Sequence, residues 1–355
     1  MNDLALTLLS TTLQKNTTNP DDNNIWILDE NISSTDVAYA ANTCSNLPTL
    51  ICNRFDLQQE LKEKKVTAIF SDFDFSGYED NSIDQIFFRI SKEKAVVHHV
   101  INQAARVLKP GGKLALAGYK NEGAKTYIDK ASKLFNGSVE KTKGGQSSHL
   151  AIISKGSVNA DKLLDDKNYG ELRNVTCEDF TFLTKPGQFG WNKVDKGSEF
   201  LIQQLPTLLN QLHKVPTTLL DLGCGYGYLS MMAAKLVNFE KITATDNNAA
   251  ALRSCEENLK VSKQEFDVIE DNCAHSIRGR FDLILCNPPF HKGFSVENNL
   301  TQLFLEQTHK RLHAKGNAVF VVNQFIPLEQ KAQTLFDKVS LLAKNDSFKL
   351  VLCKR

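Results

Sequence analysis

Short apolar runs alternate along this chain with stretches in which apolar residues recur every three or four positions, and the alternation is laid down twice. In the first half NIWILDE, LPTLICN, VTAIFSD, IDQIFFRI and GKLALAGY read as strands, with amphipathic stretches between several of them. That rhythm predicts parallel strands covered by helices. EKAVVHHVINQAARVL has helical spacing, and KPGG is expected to end that helix and turn the chain into the next strand. The second half repeats the scheme with TTLLDLG, KITATD, EFDVIED, FDLILC and NAVFVVN as strands and NAAALRSCEENLK as one of the helices. Each half finishes with two apolar runs close together, which predicts an antiparallel hairpin at one edge of each sheet.

IDQIFFRI, a helix and RVLKPGGKLALAG in the first half parallel FDLILC, a helix and KRLHAKGNAVFVV in the second. We therefore expect an α/β protein of two tandem Rossmann-like domains that arose by duplication. They span residues 1–165 and 172–355, with mainly parallel sheets and a linker near KGSVNADKLLDDKNYGELRN. A chain of 355 residues is long enough for two separate cores.

Composition narrows the class without naming it. The formal net charge is +1. Residues 1–165 carry 19 basic and 20 acidic side chains and the remainder 23 and 21, so neither half is a basic module. The eight cysteines form no CxxC pair or regular framework, which fits reduced thiols in a cytoplasmic protein without a metal site. No segment is apolar for long enough to span a bilayer, and no membrane partner is expected.

In TTLLDLGCGYGYLS a strand runs into Asp221, and Gly223, Gly225 and Gly227 then occupy alternate positions before a helix begins. Glycine there permits positive φ and lets a ligand approach the backbone. Such turns also serve plain strand-to-helix packing. Asp246 ends the next strand, 23 residues after Gly223, where an acid can accept hydrogen bonds from both hydroxyls of a ribose. The spacing is GxGxG rather than the GxGxxG that brings pyrophosphate onto a helix, and Asp221 would repel pyrophosphate while tolerating a cationic methionine group. S-adenosylmethionine fits better than NAD. Asp221, Gly223, Cys224, Gly225, Gly227, Asp246 and Asn247 form the expected cofactor bed. Asp271 and Asn272, at the end of EFDVIEDN, stand at the same sheet edge, where either could read adenine or simply belong to a polar loop.

FDLILC leads into Asn287, Pro288, Pro289 and Phe290. The prolines fix φ and remove two backbone donors, leaving acceptors at the strand exit. An exocyclic amine on a base is a weak nucleophile because its lone pair is delocalised into the ring. The Asn287 side-chain oxygen and the Pro288 carbonyl, by accepting both N–H bonds, would localise that pair for in-line attack, with Phe290 stacking the base. The four residues are the candidate catalytic group. A rigid turn capping a buried strand is the plain alternative. Cys224 and Cys286 beside the site read as packing rather than as nucleophiles.

DLGCGYG, the strand-end Asp246 and CNPPF together resemble a class I methyltransferase that modifies an exocyclic or amide nitrogen. With LTKPGQFGWNKVDKGSEFLIQQL at 183–205 and the degenerate first copy, the chain is similar to the ribosomal RNA small subunit methyltransferase C family, bacterial guanine-N2 methyltransferases. That resemblance implies methyl transfer from S-adenosylmethionine to one guanine of 16S rRNA, with the assembled 30S subunit as substrate. It also implies that Phe189 and Asp195 close over the methionine end, or else pack. The first copy has NISSTD where the glycine loop belongs and SKEK where the tetrapeptide belongs, so no cofactor and no catalysis are expected there. Its implied role is RNA binding or support of the active copy. A single chain holding both copies is expected to act as a monomer. Three rivals stand beside this reading: a large-subunit rRNA guanine-N2 methyltransferase, a release-factor glutamine methyltransferase and a non-enzymatic rRNA-binding assembly factor.

Overall fold

The computed structural model describes residues 3–177, 180–289 and 294–355, with the backbone alone at 294–299. Its contacts divide the chain into two units, Met1–Glu171 and Leu172–Arg355.

In the first unit, helix α1 (Leu4–Asn16) precedes β1 (Asn24–Leu28), α2 (Ser34–Thr43), β2 (Thr49–Cys52), α3 (Phe55–Glu63), β3 (Ile69–Phe70) and β4 (Ile83–Arg89). α4 (Lys94–Val107), β5 (Leu108–Tyr119), α5 (Ala124–Phe135), β6 (Val139–Lys143) and β7 (Ser148–Ser154) complete it. The strand order is β3-β2-β1-β4-β5-β7-β6, with β7 antiparallel to both neighbours. Ile25 and Ile27 face one helical layer while Trp26 and Leu28 face the other, so every position of β1 is buried. A strand covered on both faces needs such a continuous apolar run. KPGG does not separate helix from strand: β5 begins at Leu108, directly after α4, and absorbs the glycines through a register shift against Ile83 and Gln85.

The second unit opens with a hairpin that periodicity did not reveal, β8 (Arg173–Cys177) with β9 (Phe180–Thr184). There follow α6 (Lys196–Leu209), β10 (Thr218–Leu222), α7 (Tyr228–Leu236), β11 (Lys241–Asp246), α8 (Ala249–Leu259), β12 (Glu265–Glu270) and β13 (Phe281–Cys286). The unit ends with α9 (Phe294–Arg311), β14 (Leu312–Asn323), α10 (Leu328–Ala332), β15 (Lys338–Lys344) and β16 (Phe348–Lys354). The sheet order β12-β11-β10-β13-β14-β16-β15 repeats that of the first unit, antiparallel edge included.

The repeat can be followed residue by residue. Asp84 accepts a hydrogen bond from the Asn23 amide at 2.9 Å, and Asp282 accepts one from the Thr217 amide at 2.9 Å, so Asp84 and Asp282 are equivalent. Five positions further on, Arg89 therefore stands where the second unit has Asn287, so the tetrapeptide's counterpart is Arg89, Ile90, Ser91 and Lys92 and not the SKEK expected two residues later. Crossovers that all run between parallel neighbours put the carboxyl ends of β10, β11, β12 and β13 at one edge.

Candidate active site

The chain leaves β10 through three left-handed glycines, Gly223 at φ +77°, Gly225 at +55° and Gly227 at +85°. The amides of Gly223 and Cys224 both donate to the Thr245 carbonyl at 2.9 Å, which ties the loop to β11. A Cβ on Gly227 would stand 2.9 Å from Cys255 Sγ, whereas one on Gly225 would meet nothing within 4 Å. Gly227 thus serves packing under α7, and Gly225 leaves a gap at the cleft.

Asp246 closes the loop from the side. Its Oδ2 accepts from the Gly225 amide and its Oδ1 from the Asn248 amide, each at 2.9 Å. The Asn247 amide also donates to this carboxylate, which leaves acceptor capacity for one further donor. Burial raises the Asp246 pKa against these hydrogen bonds. Asn247 lies between Asp246 and Asn248, the latter capping α8.

Asp221 is wholly buried, with Oδ2 accepting from the Ser230 amide at 2.9 Å and hydroxyl at 2.7 Å. Burial pushes its pKa up to about 6, and the charge of Asp246 adds to the effect. Oδ1 has no hydrogen-bond partner among the described residues. Asp271 repeats the pattern at the end of β12: Oδ2 accepts from the Ser276 amide at 2.9 Å, and its buried Oδ1 has no partner among the described residues. Asn272 is half-buried in the same turn. Two buried carboxylates with spare oxygens, and a glycine whose missing Cβ leaves open space, are what a polar nucleoside cofactor requires. The residues fit S-adenosylmethionine. Among the described residues no group of side chains could hold a metal ion.

Asn287 leaves β13 beside Gly223. Its Nδ2 donates to Asp195 Oδ2 and to Ser198 Oγ, both at 2.8 Å. Asp195 is also the N-cap of α6, with the same Oδ2 accepting from the Ser198 amide at 2.9 Å. Pro288 is buried and Pro289 exposed. Phe290 lies outside the described residues. Phe189, Asp195, Ser198, Gly223, Cys224, Gly225, Tyr226, Tyr228 and Asn287 line one open cleft. Asp221, Asp246 and Asp271 are not among its lining residues; Asp246 reaches the cleft through its bond to Gly225.

The segment 184–195 is folded onto this unit by polar contacts. Thr184 Oγ1 donates to the Trp191 carbonyl at 2.6 Å, Asn248 Nδ2 to the Gly187 carbonyl at 3.0 Å and Gln188 Nε2 to Ser254 Oγ at 2.7 Å. Phe189 is left 61% exposed at the cleft. Cys224 is buried against Cys255, and burial raises its thiol well above the ordinary range, as it does for Cys286. Neither thiol is poised as a nucleophile. Ser198, Tyr226 and Tyr228 were not singled out from the sequence. Tyr226 lies inside the GxGxG run and Tyr228 directly after it, but nothing local marks Ser198.

The equivalent place in the first unit is filled by the protein. Arg89, with a side chain only 1% exposed, pairs with Asp3 at 2.9 Å and Glu122 at 2.7 Å. Glu30 accepts from the Ser91 hydroxyl at 3.1 Å and the Lys92 amide at 2.6 Å. Burial, and then the charge of Glu30, raises the Asp29 carboxyl well above its ordinary value.

A seven-stranded sheet of this order, with a glycine loop, a strand-end acid and an asparagine-proline exit on adjacent strands, defines a class I methyltransferase domain. Residues 179–352 match the family model described as Methyltransferase small domain. Ribosomal RNA small subunit methyltransferase C of Shewanella loihica is 25% identical over 304 residues, covering 85% of this chain and 86% of its own. The protein of that name from Erwinia tasmaniensis is 33% identical over 203 residues, 57% of this chain and 55% of its own. Among solved structures, a 16S rRNA N2 G1207 methyltransferase of T. thermophilus, in complex with AdoMet and guanosine, has the same fold. Its TM-score is 0.81 over 100% of this chain and 92% of that one, at 22% identity. The resemblance read from the motifs therefore extends along nearly the whole chain, both copies included.

Proposed function

We propose that this chain transfers a methyl group from S-adenosylmethionine to the exocyclic N2 amine of a guanine in 16S rRNA, acting as a monomer on the assembled 30S subunit. The observation that carries the reading is the position of Asn287, one strand exit from the glycine loop and in the same cleft, with both its N–H bonds already used. Its carbonyl oxygen is what remains to meet an amine.

Bound in this cleft, S-adenosylmethionine supplies a methyl group made electrophilic by the sulfonium charge. The chain's own residues hold and orient. Asp246, held by three backbone amides, keeps acceptor capacity for a ribose hydroxyl, Gly225 leaves room for the backbone approach, and the spare oxygen of Asp271, with Asn272, meets the adenine. The buried charge of Asp221, beneath the glycine loop, favours a cationic methionine end in the cleft that Phe189 lines. Asn287 Oδ1 and the Pro288 carbonyl accept the two N–H bonds of the target amine, which localises its lone pair toward the methyl group. Phe290 and the exposed rings of Phe189 and Phe325 offer faces for stacking bases. The first unit neither binds cofactor nor catalyses, because Glu30 and the Arg89 ion pairs occupy its site; it binds RNA or supports the second unit.

The test incubates the protein and labelled S-adenosylmethionine with 30S subunits, 50S subunits, naked 16S rRNA and release factor, then maps the modified position. Label on guanine N2 in 30S particles is expected. Label in 50S subunits or in release factor alone would replace the substrate, and a chain that binds no S-adenosylmethionine would be an assembly factor instead.

A further inference from the structure

The amide of Asn287 can serve an amine in only one of its two orientations. With the oxygen toward the substrate it accepts an N–H; turned by 180° it presents its own N–H groups to another donor, and the contact becomes repulsive. Rotation about the last side-chain bond of asparagine has broad, nearly two-fold wells, so the amide does not choose by itself.

Two side chains from α6 make the choice. Asp195 Oδ2 accepts one N–H at 2.8 Å and Ser198 Oγ accepts the other at 2.8 Å. The same Asp195 Oδ2 accepts from the Ser198 amide at 2.9 Å, so it stands as an acceptor and the face turned to it must be Nδ2. Asp195 is itself immobilised as the helix cap, and Ser198 is buried on the first turn. We propose that Asp195 and Ser198 are positioning residues that lock Asn287 with its oxygen toward the target amine; this rests on Asn287 being the amine acceptor described above.

The first copy shows which part is inherited scaffold and which is specific. There the cap of the corresponding helix, Asp3, also reaches the exit of the fourth strand, but it meets the Arg89 guanidinium, which has no orientation to be set. The residue three positions after Asp3 is Leu6, whereas three after Asp195 comes Ser198. The second acceptor is found only in the copy that has an amide to orient.

The test uses the full chain with 30S subunits. Single-turnover methyl transfer at saturating S-adenosylmethionine is measured beside calorimetric cofactor binding for wild type, Ser198→Ala, Ser198→Thr, Asp195→Asn, Asn287→Ala and the Ser198→Ala/Asn287→Ala double variant. Ser198→Ala is expected to slow transfer roughly 10- to 100-fold without weakening cofactor binding, and Ser198→Thr, which keeps the hydroxyl, to restore most of the rate. Asp195→Asn adds a donor beside the acceptor, so a turned Asn287 amide is no longer excluded, and the loss of rate is expected to be at least that of Ser198→Ala. In the Asn287→Ala background Ser198→Ala should cost nothing more, because there is no amide left to orient. An equal cost of Ser198→Ala in both backgrounds, or a loss confined to cofactor affinity in either α6 variant, overturns the assignment. Absence of any transfer by the wild type overturns the functional reading and this inference with it, an outcome distinct from an active wild type with an additive cycle.

Discussion

A carboxyl group in the position of Asp221 pays heavily for its charge. It is fully buried, and with a pKa pushed up to about 6 from an ordinary 3.8 the folded state holds the proton more tightly than the unfolded chain does. Its contribution to stability is therefore full below about 3.8 and lost as pH rises through about 6, an amplitude of about 3 kcal/mol. Denaturation of wild type and Asp221→Asn at several pH values should show the wild type losing stability relative to the variant between pH ~4 and ~6, and no further change above. A flat difference would mean the carboxylate is not desolvated as described. The same charge should be visible in ligand binding. A cationic methionine end favours the ionised form, so cofactor affinity in the wild type should fall below pH ~6, where binding must expel a proton, while Asp221→Asn binds weakly and without that dependence.

Among elements, the glycine loop separates two effects that share one motif. Gly225 and Gly227 both have positive φ, yet only Gly227 is crowded, with Cys255 Sγ 2.9 Å from where its Cβ would be. Gly227→Ala should cost about 2 kcal/mol or more in chemical denaturation, from backbone strain and overpacking together. Gly225→Ala should cost roughly 1 kcal/mol, from strain alone, but lose most cofactor affinity, because its methyl group would enter the cleft. Comparable losses of stability from both, or unaltered cofactor affinity in Gly225→Ala, would count against this division. The loop was legible from sequence because alternate glycines between a strand and a helix are a local signal. The hairpin of β8 and β9 was not, since RNVTC and FTFLT are short and half-exposed. KPGG was misjudged as a plain turn because the strand register, set across the sheet by Ile83 and Gln85, carries β5 back to Leu108.

For the molecule as a whole, duplication made the fold legible twice over, and the loss of motif in the first copy was visible as missing glycines and prolines. What replaced them was not. Arg89 could not be recognised as the counterpart of Asn287 until Asp84 and Asp282 aligned the strands, and its partners Asp3 and Glu122 come from 86 and 33 positions away. Ser198 and Asp195 were equally hidden in their role, since they meet Asn287 across 89 and 92 positions. Such contacts belong to the fold and leave no local pattern. They also make the first copy hard to reactivate. Arg89→Asn would supply an amide but leave Glu30 bonded to Ser91 and Lys92 and leave Glu122 without its buried cation. The variant should lose about 3 kcal/mol of stability in the first unit, since removing one partner of a largely buried ion pair strands the other. Calorimetric titration with S-adenosylmethionine should still give one site per chain, in the variant as in the wild type. Two sites in either protein would mean that the first copy retains a cofactor bed, and that the arginine closes it only in part.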